Sequence, residues 1–518
     1  MTRLPKKITR SMGAGPIPAP CRARPYSICW HGRCLPRRMC ALSLIVAFAL
    51  IACGGKPAAS SPDGGGPWAH MYAGDMQIDG LSSDAEGNVY AAGYFVGRAA
   101  FDEQHVLDSI ANAQGPTKDI FIAKHRGKDG TLEWVKHFGG SGAEGNVYDV
   151  TVIDDGTIVA SGAFSGEVDF DGTRLTSTVS AGTGSGSSGT YGNMFLVGLG
   201  PDGLVRWARQ ATGAILSGGN EVAPIDGDGI VQAGNYGGRS EPGGTLGLGT
   251  TELSFGGGTY DTYVARLDGQ GVVVWARPVT GAGAQRGKAI AADAEGNVLV
   301  AGDARYGPTD FGLGDSFTSS DQDFWVAKYS PTGTLLWWRQ FSSSGIDEVK
   351  GVAADAAGNV VVAASFEGPG IDLDPNTHLV AAPGAKNTGL VFALSPDGQR
   401  VRWTNTITSV SKCCEMELTN DRIFVSLAAL GPSVTYGDGV VFPVGGRPRA
   451  ALLTEFDRSG ARTRSWTIEA ASAEFGELTL RQGATVVAGS FTGPTAGFGD
   501  LRMTATSQRT QFDLAIVR

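Results

Sequence analysis

The sequence predicts an all-β fold: a seven-bladed β-propeller of four-stranded antiparallel blades, closed by an N-terminal strand that completes the last blade. Three observations support this prediction. A hairpin motif recurs along most of the 518 residues, six units continue with a second hairpin that ends in tryptophan, and one unpaired strand stands at each end of the array. Four strands per repeat is the count of one propeller blade.

The first hairpin of the repeat is clearest at 289–302, where an apolar run, the turn 293–297 (Asp-Ala-Glu-Gly-Asn) and a valine-rich run follow one another. Asp, Gly and Asn in this order are typical of a tight turn between antiparallel strands. Further copies lie at 80–93, 150–162, 222–234, 351–364 and 478–489. The sixth unit, around 418–425, lacks the glycine turn and is the least regular.

The second hairpin is clearest at 323–338, around the turn 330–333 (Ser-Pro-Thr-Gly). Its counterparts lie at 119–134, 193–207, 261–275, 389–403 and 450–466. We interpret the residues that end these hairpins as the closing tryptophans, at intervals of 63 to 73 residues: Trp134, Trp207, Trp275, Trp338, Trp403 and Trp466.

The seventh unit has a first hairpin near 478–491 and a third strand at 512–517, but no fourth strand. A lone strand at 68–74, which begins with Trp68, has no hairpin ahead of it. If it supplies the missing strand, the ring closes and leaves no free sheet edge at the seam. We therefore expect one seven-bladed domain over 68–518.

Composition limits the partners of this chain. Glycine, at 78 residues, fits an all-β protein with many tight turns. Residues 1–52 carry nine basic and no acidic residues, so the remainder has a formal charge of −9 − 9 = −18. Nucleic acid is not expected as a partner, because binding it requires a basic face. We expect a monomer.

The N-terminal segment predicts export and a lipid anchor. A basic stretch at 33–39 precedes eleven apolar residues at 41–51, which is too short to span a bilayer comfortably and typical of a signal peptide. Residues 50–53 (Leu-Ile-Ala-Cys) resemble a bacterial lipobox. The resemblance implies cleavage after Ala52 and lipid attachment at Cys53, and Gly54 implies outer-membrane delivery. The alternative is a buried helix that ends in an unremarkable cysteine.

The predicted domains are thus an N-terminal extension with a lipoprotein signal peptide at 1–52, the lipidated cysteine with a flexible linker at 53–67, and the propeller at 68–518. The lipid would hold the protein on the membrane of the cell envelope.

The repeat itself resembles a known family. Asp-x-x-Gly-Asn-Val-x-Val-Ala-Gly, then Phe-x-Gly-x-x-Asp-Phe as at 164–170, then Asp-x-Phe-Val-Ala-Lys and Gly-x-x-x-Trp, is similar to the bacterial seven-bladed β-propeller repeats called SBBP repeats. The resemblance covers 68–518. It implies a propeller of the cell envelope or a secreted one, commonly a lipoprotein, with no established catalytic residues.

No catalytic or metal-binding constellation is predicted, and no cofactor. The histidines of the propeller show no triad or paired helical spacing, and we expect structural roles for His70, His125 and His137. The acidic runs at 226–229 and 372–376 lack the full calcium-loop pattern, so turn chemistry is the favoured interpretation. The adjacent Cys413 and Cys414 could form a vicinal disulfide or lie as two thiols on alternate faces of a strand.

These observations favour a non-catalytic binding or scaffolding module over the alternative, an envelope lyase or hydrolase with its site over the central channel, and a purely structural role is also open. In antiparallel blades the tight turns share one face and the longer connections share the other. These longer connections lie at 97–118, 165–192, 237–260, 307–322 and 368–387. We predict that a protein or polysaccharide partner binds this long-loop face, with Tyr191, Tyr236 and Tyr306 as aromatic anchors.

Overall fold

Every regular element in the described part of the chain is a β-strand, as the glycine-rich repeats predict. A computed structural model describes residues 68–112, 115–140, 145–179, 192–238, 244–312, 314, 316–419, 422–481, 484–498, 501–505 and 509–517. All of them belong to the compact unit that spans 59–518. The predicted signal peptide, Cys53 and the linker lie outside the described residues.

The described strands form seven units, numbered 1 to 7 along the chain, each a four-stranded antiparallel arrangement. The innermost strands of units 1 to 7 are Ala73–Ser83, Asn146–Val152, Leu216–Ile225, Ala284–Ala292, Glu348–Ala354, Val410–Leu418 and Ser472–Arg481. The second strands are Val89–Ala100, Ile158–Phe164, Gly229–Gly237, Val298–Asp310, Val360–Phe366, Arg422–Thr435 and Ala484–Thr492.

The third and outermost strands complete each unit. The third strands are Lys118–His125, Asn193–Leu199, Tyr260–Leu267, Ser316–Tyr329, Thr388–Leu394, Val441–Asp457 and Arg509–Val517. The outermost strands are Leu132–Phe138, Val205–Gln210, Val273–Gly281, Leu335–Phe341, Val401–Thr408, Arg462–Thr467 and, for unit 7, His70–Met71.

The innermost strands of the seven units contact one another in cyclic order, and the strand of unit 7 contacts that of unit 1. This closed ring is the predicted propeller. Its core lies between units, since each apolar cluster combines residues of neighbouring units. Val486 of unit 7, for example, packs in one cluster with Phe95 and Phe121 of unit 1.

The predicted tight turn between the first two strands is held by its aspartate. In unit 4, Asp293 accepts hydrogen bonds from the backbone N–H of Asn297 at 2.8 Å and from its side-chain amide at 2.9 Å. Asp355 makes the same pair of bonds with Asn359, both at 2.8 Å. The Asp-x-x-Gly-Asn pattern therefore fixes this turn by local side-chain hydrogen bonds.

The predicted closure by the N-terminal strand is confirmed. His70 lies opposite Asp513 and Met71 opposite Phe512 in an antiparallel pair, so this strand is the fourth of unit 7. Trp68 is buried against unit 1, and its indole Nε1 donates to the carbonyl oxygen of Gly127 at 3.0 Å. The strand thereby joins one sheet and packs on the next.

The same indole contact recurs around the ring. We call the turn between the third and the outermost (fourth) strand of a unit its 3–4 turn. A tryptophan on an outermost strand donates its indole N–H to a backbone carbonyl in the 3–4 turn of the next unit, at 2.9 to 3.1 Å. The pairs are Trp134 with Pro201, Trp207 with Gly269, Trp275 with Pro331 and Trp337 with Pro396. Each such tryptophan therefore links its unit to the following one.

Two of the predicted closing tryptophans, Trp338 and Trp466, lie in the outermost strands of their units but not at the position whose indole contacts the next unit. In unit 4 the residue that contacts the next unit is Trp337, which lies opposite Lys328 in the sheet. Trp338 instead stacks on Phe311, with ring centroids 5.4 Å apart. In unit 6 the position is held by Arg464. A tryptophan there would have no tight turn to contact, because the third and fourth strands of unit 7 come from opposite ends of the propeller sequence.

The long connections between second and third strands contain further β-structure. It consists of Val106–Asp108, Ala111–Asn112, Gly115–Pro116, Glu167–Phe170, Thr173–Thr176, Thr245–Leu248, Thr251–Ser254, Gly370–Asp374, Thr377–Val380, Thr495–Phe498 and Leu501–Thr504, and the short strand Thr212–Gly213, between units 2 and 3, pairs with one of them. In units 4 and 6 the second and third strands themselves extend into this region.

We call these segments the long-loop hairpins, and in five units this region is paired with the preceding unit. Backbone pairs join Gly139 to Asp169, Thr212 to Gly247, Gly281 to Thr309, Ile407 to Tyr436 and Glu469 to Gly497. The Asp-Phe motif lies here, and both Phe170 and Phe311 are buried. As predicted, this motif serves packing between blades.

Candidate functional site

The tyrosines predicted as partner anchors lie in different environments. Tyr236 is fully buried, with its hydroxyl donating to the carbonyl oxygen of Ser254 at 3.1 Å, so it packs inside the molecule instead of facing a partner. Tyr306 is 66% exposed. Tyr191 and Cys53 lie outside the described residues. Of the described anchors, only Tyr306 presents its ring to solvent.

Tyr306 stands in a β-bulge of the second strand of unit 4. Arg305 pairs with Gln322 and Gly307 with Ser319, so Tyr306 has no cross-strand partner. Its φ of 50° lies in the left-handed region, which a bulky side chain rarely adopts. Glycine is the usual residue at a left-handed bulge position. The fold therefore holds an exposed aromatic ring here at a conformational cost.

A second polar constellation lies around the axis of the ring. Each innermost strand has a bulge near its midpoint, and a bulge re-aims the neighbouring side chains. A charged residue occurs at the bulge or directly after it in all seven units: Asp79, Asp149, Glu221, Lys288, Lys350, Glu415 and Glu477. We call this set the channel ring.

The members of the channel ring converge across the axis. The charge of Glu477, in unit 7, interacts with those of Asp149 and Glu221 in units 2 and 3, neither of which is a neighbour of unit 7. Glu221 in turn interacts with Glu415 of unit 6. Each side chain is partly accessible, although protein surrounds it on most sides. Together they line the centre of the propeller.

Crowding of these carboxylates favours their protonated forms. Burial raises the pKa of Asp149 to about 8, and repulsion from Glu415 adds to the effect. Burial, followed by repulsion between neighbouring carboxylates, raises the pKa of Glu221 and of Glu477 well above the usual range. A carboxyl group with a pKa of about 8, such as that of Asp149, exchanges protons near neutral pH.

The two lysines of the ring belong to the adjacent units 4 and 5. The Lys350 ammonium lies 3.7 Å from a carboxylate oxygen of Glu415, and this neighbour is the main cause that raises the pKa of Lys350. Burial lowers the pKa of Lys288, and repulsion from Lys350 lowers it further. Five acidic and two basic groups give the ring a formal charge of −3, with its positive groups on one side.

Sequence reasoning missed the channel ring because it sought clusters in the loops. The signal is present as a charged residue inside each innermost strand, five positions ahead of the turn. In the first five units the turn residues concerned are Asp84, Asp154, Asp226, Asp293 and Asp355. One such residue in an apolar strand is unremarkable, but seven in register around an axis form a site.

The other predicted features have local roles in the described residues. His125 is buried and hydrogen-bonded to the hydroxyl of Tyr72 at 2.7 Å, as a structural histidine is. In the acidic run 372–376, Asp374 accepts the backbone N–H of Asn376 at 2.9 Å, which is turn chemistry. Within the described residues, no three His, Cys, Asp or Glu side chains are grouped as metal ligands. The side chains of Cys413 and Cys414 lie outside the described set.

Comparison with known proteins identifies a repeat relative but no family. No family model matches the chain. It is 25% identical over 355 residues to an uncharacterized WD repeat-containing protein, L264, of Acanthamoeba polyphaga mimivirus. The match covers 59% of this chain and 25% of the relative, so the chain spans about a quarter of that protein's length. WD repeats build β-propellers, in agreement with the fold described above.

Solved structures with a partial likeness include BamB from Moraxella catarrhalis, at 10% identity and a TM-score of 0.32 over 86% of this chain and 99% of that one. Another is rhamnogalacturonan lyase YesW, at 13% identity and a TM-score of 0.29 over 85% and 76%. These TM-scores are too low to carry an argument. Among the described residues, no helix has the length and apolar character to cross a membrane.

Proposed function

We propose that this chain is a lipoprotein of the cell envelope, built of SBBP-type repeats, whose propeller acts as a non-catalytic binding or scaffolding module. Its partner, a protein or a polysaccharide, binds the long-loop face. The lipid on Cys53 holds the module at the membrane, in the outer membrane of the envelope.

The distribution of exposed apolar side chains is the observation that carries this proposal. Eight of the twelve large ones described lie in the connections of the long-loop face: Val106, Ile110, Tyr306, Ile346, Val380, Leu430, Val440 and Val441. The other four lie in the 3–4 turns or on outermost strands: Leu204, Val272, Val274 and Leu336. Exposed apolar groups gathered on one side of a soluble domain favour that side as an interaction surface.

The long-loop hairpins also supply the rigidity that binding requires. Because the connections of units 2, 3, 4, 6 and 7 are paired with the preceding unit through their backbones, each of these five is held by two units. Recognition by a fixed surface avoids the entropy loss of ordering a loop on binding.

Photo-crosslinking tests which face meets the partner. A benzophenone amino acid placed at Val380 or Val441, which are 72% and 60% exposed, reports the long-loop face. The matched controls are Leu204 and Val272 in the tight turns, at 59% and 50%. We expect crosslinked adducts in intact cells from the first pair only. Adducts from the tight-turn pair alone would contradict the proposal.

The anchor is tested separately by Cys53→Ser. The parent chain should partition into the detergent phase and the variant into the aqueous phase of the envelope extract, since two or three acyl chains hold a protein on a membrane stably. Equal retention of both in the detergent phase would show that the lipobox interpretation fails.

A second candidate function, an envelope lyase or hydrolase with its site over the central channel, is favoured by the channel ring. A carboxyl group such as that of Asp149, whose pKa is raised to about 8 by burial, is suited to acid–base catalysis. Cleavage of envelope polysaccharide by the purified chain, abolished in Asp149→Asn, would support this candidate. Absence of cleavage across pH 5 to 9 would leave the binding module as the function.

A further inference from the structure

Two arginines of unit 4 lie together towards the long-loop face, and among the described residues neither forms an ion pair with a carboxylate. Arg286 is on the innermost strand, and Arg305 is on the second strand opposite Ala284. Burial lowers the pKa of Arg286, and the charge of Arg305 lowers it further. Two guanidinium groups that repel each other inside a protein are unfavourable unless an anion joins them.

The hydrogen-bonding capacity of this pair is incompletely used. The Nε atoms of both arginines are buried and have no hydrogen-bond partner among the described residues. Within the same residues, neither arginine has a carboxylate oxygen within ion-pair distance. A guanidinium fork normally binds carboxylate or phosphate through two parallel hydrogen bonds.

The acidic groups that face the pair are engaged elsewhere. Asp303 accepts the backbone N–H of Val349 at 3.2 Å, and burial raises its pKa to about 6. Glu348 accepts a side-chain N–H of Gln322 at 3.4 Å. Lys288 adds a third positive charge on the inner side. The local surroundings therefore leave the arginine charges only partly compensated.

Two aromatic residues accompany the pair. The guanidinium carbon of Arg286 lies 5.4 Å from the ring centre of Tyr260, in cation–π geometry. Tyr306 directly follows Arg305, and its ring is exposed in a left-handed bulge. An exposed, rigidly held aromatic ring is suited to stack on the flat face of a sugar, and an adjacent guanidinium pair is suited to bind a carboxylate.

We propose that Arg286 and Arg305, bordered by Tyr306, form a subsite for the carboxylate of an acidic sugar residue in the polysaccharide partner. The inference rests on the proposed function and names the ligand class for the long-loop face.

The test is calorimetric titration of the purified propeller with a uronate tetrasaccharide and with the same tetrasaccharide after reduction of its carboxylates to alcohols. We expect binding of the acidic form and at least tenfold weaker binding of the reduced form. Arg286→Gln and Arg305→Gln should each weaken binding by about 10- to 100-fold, the range for loss of a charge-assisted hydrogen bond. Arg98→Ala is the matched control, since Arg98 already pairs with Asp108 on this face, and should change affinity less than twofold.

Tyr306→Gly separates binding from folding. Glycine relieves the left-handed strain, so the denaturation midpoint should stay equal or rise, while uronate affinity should fall at least tenfold. Equal affinity for the acidic and reduced sugars, unchanged affinity in both arginine variants, or binding of an acidic peptide but of no uronate would each overturn the inference. Crosslinks at Val380 or Val441 would still support the proposed function in that case, so the two failures are distinguishable.

Discussion

Substitution of Gly130 by alanine should open the seam where the ring closes. Gly130 lies in the 3–4 turn of unit 1 with φ +73°, and its Cα faces the indole of Trp68 from the strand that completes unit 7. A methyl group built on Gly130 would lie 2.5 Å from Cδ2 of Trp68, well inside van der Waals contact. The backbone of the turn and the ring cannot both stay in place.

The expected cost has two parts. Placing any L-residue in the left-handed region costs about 1–2 kcal/mol. Displacing Trp68, which is 8% exposed and hydrogen-bonded to Gly127, forfeits most of the burial of a large aromatic side chain. Truncation of such a residue costs about 3–5 kcal/mol. The sum is about 4–7 kcal/mol in the free energy of unfolding.

Urea denaturation of three variants separates the two parts. Gly97→Ala is the control for backbone strain, because Gly97 has φ +69° and no atom lies within 4 Å of a Cβ built there. It should lose only about 1–2 kcal/mol. In a Trp68→Ala background, Gly130→Ala should likewise cost only that amount. If Gly130→Ala in the parent is no more destabilising than Gly97→Ala, the indole contact does not hold the seam.

Three further predictions concern buried charges. Lys328→Ala should lower the free energy of unfolding, measured by urea denaturation, by about 3–5 kcal/mol. The reason is that the buried Asp293 carboxylate, 2.8 Å from the Lys328 ammonium, would lose its cation. The double variant Lys328→Met with Asp293→Asn should recover most of this loss. Burial, and then the charge of His70, lowers the pKa of His125 to about 3, whereas the ordinary value in an unfolded chain is about 6.5. Between pH 6.5 and pH 3, therefore, the unfolded chain binds a proton at His125 that the folded chain does not. Stability should therefore fall by up to about 1.4 kcal/mol per pH unit as pH drops through that window, and His125→Gln should flatten the slope; an unchanged slope would contradict the assignment. For Glu477 the pH dependence of stability has the opposite sign, because burial and neighbouring carboxylates raise its pKa in the folded protein. Its contribution to stability is therefore lost as the pH rises above the pKa of the unfolded chain. Glu477→Gln should raise the melting temperature at pH 8 more than at pH 4, whereas Glu252→Gln, at an exposed position, should not.

The repeat pattern predicted most of the fold because its turns are encoded locally. Asp293 and Asn297 carry the hydrogen bonds of their own turn, so the sequence alone locates the hairpin. The closure by 68–74 could also be predicted, since an unpaired strand at each end of the array leaves one consistent solution.

Positions that depend on register were not predictable in the same way. Trp337 and Trp338 both fit the spacing of the repeat, and only the pairing of Trp337 with Lys328 shows which one meets the next unit. Tyr236 and Tyr306 both lie near the long connections, but Tyr236 turns into the core and Tyr306 outward through a bulge. Bulges leave no strong signature in a single sequence.

The candidate site was hidden for a related reason. Glu221 and Glu477 are far apart in the chain, and each is one polar residue in a strand until the ring brings them to a common axis. The same holds for Arg286 and Arg305, whose proximity follows from the register of two strands. Closure of the ring is thus the premise on which both constellations depend.

The most direct test of that premise is a disulfide across the closing pair. Antiparallel partners lie about 4.5–5.5 Å apart at Cα, within the range that a disulfide spans. His70→Cys with Asp513→Cys, in a background without the other cysteines, should give an intramolecular link in the monomer fraction on mild oxidation, mapped by mass spectrometry. His70→Cys with Thr510→Cys, three residues out of register, should not. A link in the second pair only, or links only between molecules, would contradict the closed seven-unit ring.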